Sequence, residues 1–332
     1  MKRPKRPTIR DVAEKAGVSI ATVSKYVNGQ QSFSPAVEEK LREAIEDLGY
    51  SQNSLARAMV TGRTTAIGLA VMDLANPHYS NVVKGANRVA LANGYYLFVV
   101  DMEESIAAVR PLLEALAPRT DGLIVSARIP KDVTDWLAEL DKPVAFLGQP
   151  ERDDVLTVGT DSVQVAALLA QYLVRQRFKR FGYLGYSRAP SNADRIQGLR
   201  QILEPAGVEL LIFDVDEPTN EAGERAAARV LLRPDRPDVI IGWNDLVATG
   251  MMNEARSLGF KVPDDVAFAG IDNIPISRYV TPPLTTVDVC SQATGEVVMK
   301  KIIAMIEEKP QPTDLTLEPA LIIRESTQRH FT

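Results

Sequence analysis

The 332-residue chain has one cysteine, two histidines and no apolar run long enough to cross a bilayer. A single Cys290 excludes an intrachain disulfide and is the usage expected of a reducing compartment. The histidines are His78 and His330, and Cys290 sits in VDVCSQAT, which is neither a nucleophile elbow nor a metal-ligand pattern. No G-x-x-x-x-G-K-[ST] or G-x-G-x-x-G stretch is present, so nucleotide chemistry has no support. No catalytic residue, metal or cofactor is expected. The opening MKRPKRPTIRDVAEKAG is basic without an apolar segment behind it, unlike a secretory signal. These readings predict a cytoplasmic protein with no membrane partner.

What is there is a soluble globular composition, 45% hydrophobic and 24% charged, in a chain long enough for two or three domains. The net charge of −5 hides an asymmetry. Residues 1–63 carry eleven Lys/Arg against seven Asp/Glu, whereas the remainder carries 27 against 36. A basic head on an acidic body suits a chain in which only the head meets a polyanion. A solvated basic tail would explain Lys2, Arg3, Lys5 and Arg6 equally well.

The segment that follows decides between these readings. Thr8 with Asp11 at the third helical position is a capping-box pattern, and Gly17 supplies the left-handed residue that ends the first helix. Ser19 then caps a second helix, IATVSKYVN, after a turn of only Gly17-Val18. That spacing is a helix-turn-helix, whose second helix enters the major groove. Ser34-Pro35 opens a third helix with Val37, Leu41, Ile45 and Leu48 on its core face and Gly49 as its stop. Ile20, Ala21, Thr22, Ser24 and Lys25 fill the exposed positions of the second helix. They are groups suited to thymine methyls, phosphates and guanine edges.

TIRDVAEKAGVSIATVSKYVN (8–28), LREAIEDLGY (41–50) and SQNSLARAMV (51–60) closely resemble the DNA-binding head and hinge of the LacI/GalR regulator family. The resemblance implies a head over residues 1–60, with a hinge helix at about 53–60, and a core over residues 61–332. Two specificity positions fall on Ile20 and Ala21 and a third on Lys25. Thr8, Ser19, Thr22, Ser24, Asn28 and Tyr50 join them as the implied DNA-binding set. The leucine that the family wedges into the minor groove falls on Met59, a departure that keeps an apolar but more flexible side chain. A core-filling role for Met59 is the alternative.

After Gly62 the texture becomes apolar strands alternating with helical stretches. Strand candidates are residues 66–72, 95–100, 122–127, 143–148, 181–186, 210–215, 239–243 and 266–271, with a helix at 81–93 closed by Gly94. This is the α/β signature of doubly wound parallel sheets, which bind ligands at the carboxyl ends of their strands. Asp73, Asp101, Arg128, Gln149, Asn244 and Asp272 follow strands and are the polar residues to examine.

The family resemblance covers the core too, through MDLANPHYSNVVKGA (72–86), RTDGLIVSA (119–127), RIQGLRQIL (195–203) and NDLVATGMMNEARSLGFKVPDDVAFAGIDNIP (244–275). It implies a periplasmic-binding-protein-like core of two lobes with an effector cleft between them. The chain should cross between lobes near Gly159-Thr160-Asp161, near Val287-Asp288 and again close to the C-terminus. The implied effector-binding set is Tyr79, Arg128, Gln149, Arg195, Trp243, Asn244 and Asp272. Many members carry an Asp-Arg pair where this chain has Gly148-Gln149. Alternatives remain for several residues: Asp245 reads better as a helix cap than a ligand, Asp272 could be a turn residue, and Arg195 could be a surface ion pair. Trp243 could be core or a stacking platform. Asp101 and Asp161 read as loop-capping residues.

An enzyme lacks its constellation here, and an extracellular solute-binding protein would lack the attached helix-turn-helix. The expectation is a repressor that binds double-stranded, pseudo-palindromic operator DNA as a homodimer and is switched by a sugar or sugar acid. With Arg195, Arg128 and His78 set against Asp272, the cleft leans slightly toward an acidic ligand.

Overall fold

The computed structural model describes residues 7–27, 31–50, 63–150, 152, 154–310 and 317–329. The chain divides into two compact units, one running to Thr64 and the other from Thr65.

The first unit holds α1 (Ile9–Ala16), α2 (Ile20–Val27) and α3 (Pro35–Leu48). Thr8 forms the anticipated capping box: its hydroxyl accepts from the Asp11 N–H at 3.4 Å, and its own N–H donates to Asp11 Oδ2 at 2.6 Å. Gly17 and Gly49 take the left-handed conformation that ends α1 and α3. Ser19 Oγ accepts from the Thr22 N–H at 3.1 Å and so caps α2. Ser34 stands at the N-cap of α3 but its side chain makes no capping bond; Glu38 reaches back instead to the Phe33 N–H at 3.0 Å. Val12, Ala13, Ala16, Val23, Leu41 and Ala44 form a small core, with Val37, Ile45, Leu48 and Tyr50 packed around it. Lys15 and Asp47, 2.8 Å apart, pin α1 to α3.

The second unit contains two sheets. In lobe 1, β1 (Ala66–Val71), β2 (Tyr96–Asp101), β3 (Gly122–Ser126), β4 (Val144–Leu147) and β5 (Leu156–Val158) are ordered β2-β1-β3-β4-β5, all parallel. In lobe 2, β6 (Arg180–Gly185), β7 (Glu209–Asp214), β8 (Val239–Gly242), β9 (Ala267–Ile271), β10 (Thr285–Asp288) and β11 (Ala320–Ile322) are ordered β11-β10-β9-β8-β6-β7. Only the β10–β11 pair is antiparallel. All eight expected strands are present. The sequence reading missed β5, β10 and β11, which have only three or four residues each.

Helices cover both sheets: α4 (Pro77–Ala92), α5 (Ile106–Leu116), α6 (Lys131–Ala138), α7 (Ser162–Arg175), α8 (Ser191–Leu203), α9 (Asn220–Leu231), α10 (Asp245–Ser257) and α11 (Ser291–Ile306). α4 begins four residues earlier than its apolar pattern suggested. Asn76 accepts from the His78 N–H at 3.0 Å as N-cap, and Pro77 stands at the first position, where its missing N–H is harmless. α4 packs on α11, α7 on α8 and α9 on α10. Each pair closes on a glycine: a Cβ on Gly295, Gly198 or Gly250 would lie 2.0–2.2 Å from a backbone oxygen of the facing helix.

The chain crosses between lobes where the sequence suggested. It leaves β5 for α7 through Gly159-Thr160-Asp161, and returns from β10 to α11, whose Val298 and Ile302 are buried in the lobe 1 core. It crosses a third time to add β11 to lobe 2. Each sheet reverses its winding once, between β1 and β3 and between β6 and β8. A crevice opens at the strand ends beside such reversals.

Candidate functional site

In the first unit, α2 turns Val23 inward and leaves Ile20, Ala21 and Lys25 exposed, with Thr22 and Ser24 half-buried. Ile20 is 44% exposed, so its apolar side chain is open to a partner. Lys25 Nζ donates to Gln31 Oε1 at 3.2 Å, an exposed contact that phosphate or a base edge can replace. Thr8 and Ser19 stand at the helix N-termini, where free N–H groups suit phosphate oxygens. Tyr50 packs against the small core, and burial pushes its hydroxyl above the ordinary range. Asn28 and Met59 lie outside the described residues.

In the second unit, a cavity of about 710 Å³ lies between the lobes, within the size range of small-molecule sites. All seven residues expected in a cleft line it: Tyr79, Arg128 and Gln149 from lobe 1 and Arg195, Trp243, Asn244 and Asp272 from lobe 2. They follow β1, β3, β4, β6, β8 and β9, the carboxyl ends that the winding predicts.

The structure distinguishes among them. Arg195 Cζ lies 3.9 Å from the Trp243 ring centroid, and its Nη1 donates to the Trp243 carbonyl. Trp243 is therefore both packed, at 5% exposure, and a wall of the cavity. Asp272 is 9% exposed and its carboxylate accepts no hydrogen bond from any described residue; His78 Nδ1 is 3.9 Å away. Burial pushes Asp272 up to about 7, against the fields of Arg195 and Arg128. Its φ of 116 places a non-glycine residue in the left-handed half of the map, which costs about 1–3 kcal/mol.

Asp245 supports that strained turn. Its fully buried carboxylate accepts from the Ile274 N–H at 2.9 Å and from Ser277 Oγ and Thr286 Oγ1 at 2.5 Å each. It is neither ligand nor cap: Asn244 caps α10 by accepting from the Val247 N–H at 2.9 Å. The Asn244 amide donates to the Pro218 carbonyl at 3.0 Å, so both functions of that side chain are already engaged within lobe 2. Gln149 is exposed at the cavity edge.

Four further residues shape the cleft. Glu104 takes the Arg128 guanidinium in an ion pair, and Tyr186 Oη, from the other lobe, donates to the same Glu104 oxygen at 3.5 Å. Ser291 Oγ is 2.8 Å from His78 Nδ1. Burial, then the fields of Arg195 and Arg128, lower His78 to about 4, so it is neutral at neutral pH. Ser291 and Asp272 approach the same ring nitrogen of His78, which is not the relay of a serine hydrolase. Glu104 and Tyr186 carried no local signal in the sequence, being 24 and 58 positions from Arg128. Asp101 does cap a loop, accepting from the Leu74 and Glu103 N–H groups, whereas Asp161 is the N-cap of α7, accepting from the Val163 and Gln164 N–H groups.

Residues 8–53 match the family described as bacterial regulatory proteins of the lacI family, and residues 170–327 match a periplasmic binding protein-like domain. The HTH-type transcriptional repressor PurR of Photobacterium profundum is 30% identical over 97% of this chain and 98% of its own length. The chain belongs to the LacI/GalR family of bacterial transcriptional regulators. The HTH-type transcriptional regulator GalR of Escherichia coli is 31% identical over 96% of this chain and 95% of its own. Among solved structures, a lac repressor dimer bound to operator and the anti-inducer ONPF superposes with a TM-score of 0.88 at 23% identity. It covers 98% of this chain and 100% of the repressor chain. Membership makes the protein a DNA-binding transcriptional regulator rather than an enzyme. Among the described residues no helix is long and apolar enough to cross a membrane.

Proposed function

We propose that this LacI/GalR regulator is a cytoplasmic repressor that binds a pseudo-palindromic operator as a homodimer and is switched by a sugar or sugar acid held between the core lobes. One observation carries the reading. The cavity sets Arg195, Trp243 and Asp272 of one lobe against His78 and Tyr79 of the other, so a ligand touching both sides favours one lobe arrangement. The polar and aromatic lining suits a polyhydroxylated ligand. A CelR regulator has been solved with cellobiose, and a LacI family regulator from Enterococcus faecium with ribose.

On the DNA side, Ile20, Ala21 and Lys25 read bases. Thr8, Ser19, Thr22, Ser24, Asn28 and Tyr50 hold the backbone, and Met59 wedges into the minor groove. One head covers only a half-site, so useful affinity requires two. The core supports a dimer: β2 is a sheet edge carrying Tyr96 at 65% exposure and Phe98 at 45%, and lobe 2 displays Tyr279 at 74%. Head residues 1–60 and core residues 61–332 then divide the labour. The test is a mobility-shift titration on DNA upstream of the protein's own gene, with and without a panel of sugars and sugar acids. Retardation that needs both half-sites and responds to a panel member is expected. Equal binding to scrambled DNA would overturn the reading.

A further inference from the structure

We propose that Glu104 sets the charge class of the effector: by taking up the Arg128 guanidinium it withdraws the cation an acidic ligand would need, and so selects an uncharged polyol. This rests on the reading of the inter-lobe cavity as the effector site.

Arg128 lines the cavity, but both terminal nitrogens of its guanidinium are committed. Nη2 pairs with Glu104, Nη1 donates to Tyr79 Oη at 3.4 Å, and Cζ lies 5.0 Å from the Tyr186 ring centroid. The Arg128 side chain is only 14% exposed. Glu104 is not on the cavity wall; it stands behind Arg128, on the loop after β2. Its backbone is turned there by two successive left-handed residues, Glu103 at φ 49 and Glu104 at φ 52, a conformation L residues adopt at a cost. The Glu104 N–H donates to the Met72 carbonyl at 2.8 Å and fixes the turn.

Among the described residues, only three fully buried side-chain nitrogen or oxygen atoms lack a hydrogen-bond partner. They are Glu104 Oε1, Arg128 Nε and Arg195 Nε. The polar strain of the molecule is thus concentrated around this one cleft.

The charge balance follows. The walls carry Arg128, Arg195 and Lys301 against Asp161, Asp194 and Asp272, three of each sign. Glu104 cancels Arg128, so a carboxylate or phosphate would find no surplus of cations in the cleft. A cationic ligand fares no better at Asp272, where the fields of Arg195 and Arg128 both reach. What the inner cleft does offer is an acceptor without a donor, Asp272, and a guanidinium without a carboxylate in ion-pair range, Arg195. Neighbouring hydroxyls donate to the first and accept from the second.

The test uses the full-length protein and titration calorimetry with three matched pairs: ribose and ribonate, glucose and gluconate, cellobiose and cellobionate. Wild type should bind the aldose of at least one pair about tenfold or more tighter than its aldonate. Glu104→Gln, which frees Arg128, should move that ratio toward the aldonate by about tenfold. The double variant Glu104→Gln/Arg128→Gln leaves no unpaired buried charge and stands on its own if the single variant fails to fold. It should keep the wild-type ratio of aldose to aldonate affinity. A wild-type preference for the aldonate, an unmoved ratio in Glu104→Gln, or a ratio moved toward the aldonate in the double variant would each overturn the role of Glu104 while leaving the sugar reading intact. Binding of no member by wild type would remove both together.

Discussion

The Arg195 guanidinium lies 3.9 Å over the Trp243 ring while donating to the Trp243 carbonyl, so one residue fixes both the wall and the cation of the cleft. Arg195→Ala removes the cation and uncovers the indole. Loss of a desolvated cation–π contact and a ligand hydrogen bond should cost about 2 kcal/mol or more of effector affinity. Operator affinity without effector should stay within a few-fold, so the induction curve shifts to higher effector without losing repression. Trp136 and Trp243 are the two tryptophans, and only Trp243 lines the cavity. Effector should therefore perturb the fluorescence of Trp136→Phe as it does wild type. An unresponsive Trp136→Phe would place the ligand elsewhere.

Lys25 is the one long cation on the exposed face of α2, and its Gln31 contact is solvent-exposed and weak. Lys25→Ala should relax the base preference at one position per half-site, at about 1–3 kcal/mol. Affinity for random DNA should fall only slightly. Binding-site selection with the variant checks this, and an unchanged consensus refutes it.

The sequence made the frame of the cleft visible and left its electrostatics hidden, for a physical reason. Apolar runs mark buried parallel strands directly, so eight strands and the residues after them were legible. Tyr79, Arg195, Trp243 and Asp272 were reached through those strand ends and the family resemblance. Glu104 was not, because its meaning lies in Arg128, 24 residues away across the β1–β3 switch, and in Tyr186 on the other lobe. Local pattern carries no information about which side chains meet over such distances. The reading toward an acidic ligand treated Arg128 as an uncommitted cation, and the ion pair removes that premise. Asn244 carried a second signal: its place before α10 marks a cap, and the structure uses it as one while it lines the cavity.

Asp272 should give the core a distinctive pH dependence. Its carboxyl, raised by burial to about 7 from an ordinary 3.8, keeps its proton in the folded state where the unfolded chain has lost it. That contribution is complete below about pH 4 and is lost as pH rises toward 7. Asp245 acts in the same direction, whereas His78, lowered to about 4 from 6.5, loses stability as pH falls through that window. Asp272→Asn deletes the contribution of Asp272 and also the field of Asp272 that helps to raise Asp245, so its stability relative to wild type should improve by roughly 1–3 kcal/mol between pH 4 and pH 7. Any relief of the φ strain by asparagine is independent of pH and cancels in the comparison. Denaturant unfolding at both pH values measures the difference, and a flat difference would remove the buried-carboxyl account.

The last prediction concerns the α4–α11 contact. A Cβ on Gly295 would lie 2.0 Å from the Val82 carbonyl oxygen, and one on Gly85 would lie 2.0 Å from that of Gln292. These neighbours are backbone, not the ends of flexible side chains, so Gly295→Ala must part the helices. Overpacking of this kind costs about 1–3 kcal/mol, offset only partly by the better helix propensity of alanine. Gly250→Ala in lobe 2, 2.0 Å from the Asn220 oxygen, should destabilise to a similar degree. The two variants should differ in function. α11 starts directly after the second crossing, and its Thr294 and Val297 line the cavity together with Val82 of α4. Parting α4 from α11 therefore moves a wall of the cleft and the strut that joins the lobes, whereas parting α9 from α10 moves no residue at the α4–α11 seam. Gly295→Ala should shift the effector concentration for half-release of operator as well as the melting temperature; Gly250→Ala should shift mainly the melting temperature. If both variants lose stability but respond to effector identically, the α4–α11 seam is structural only and the coupling runs elsewhere.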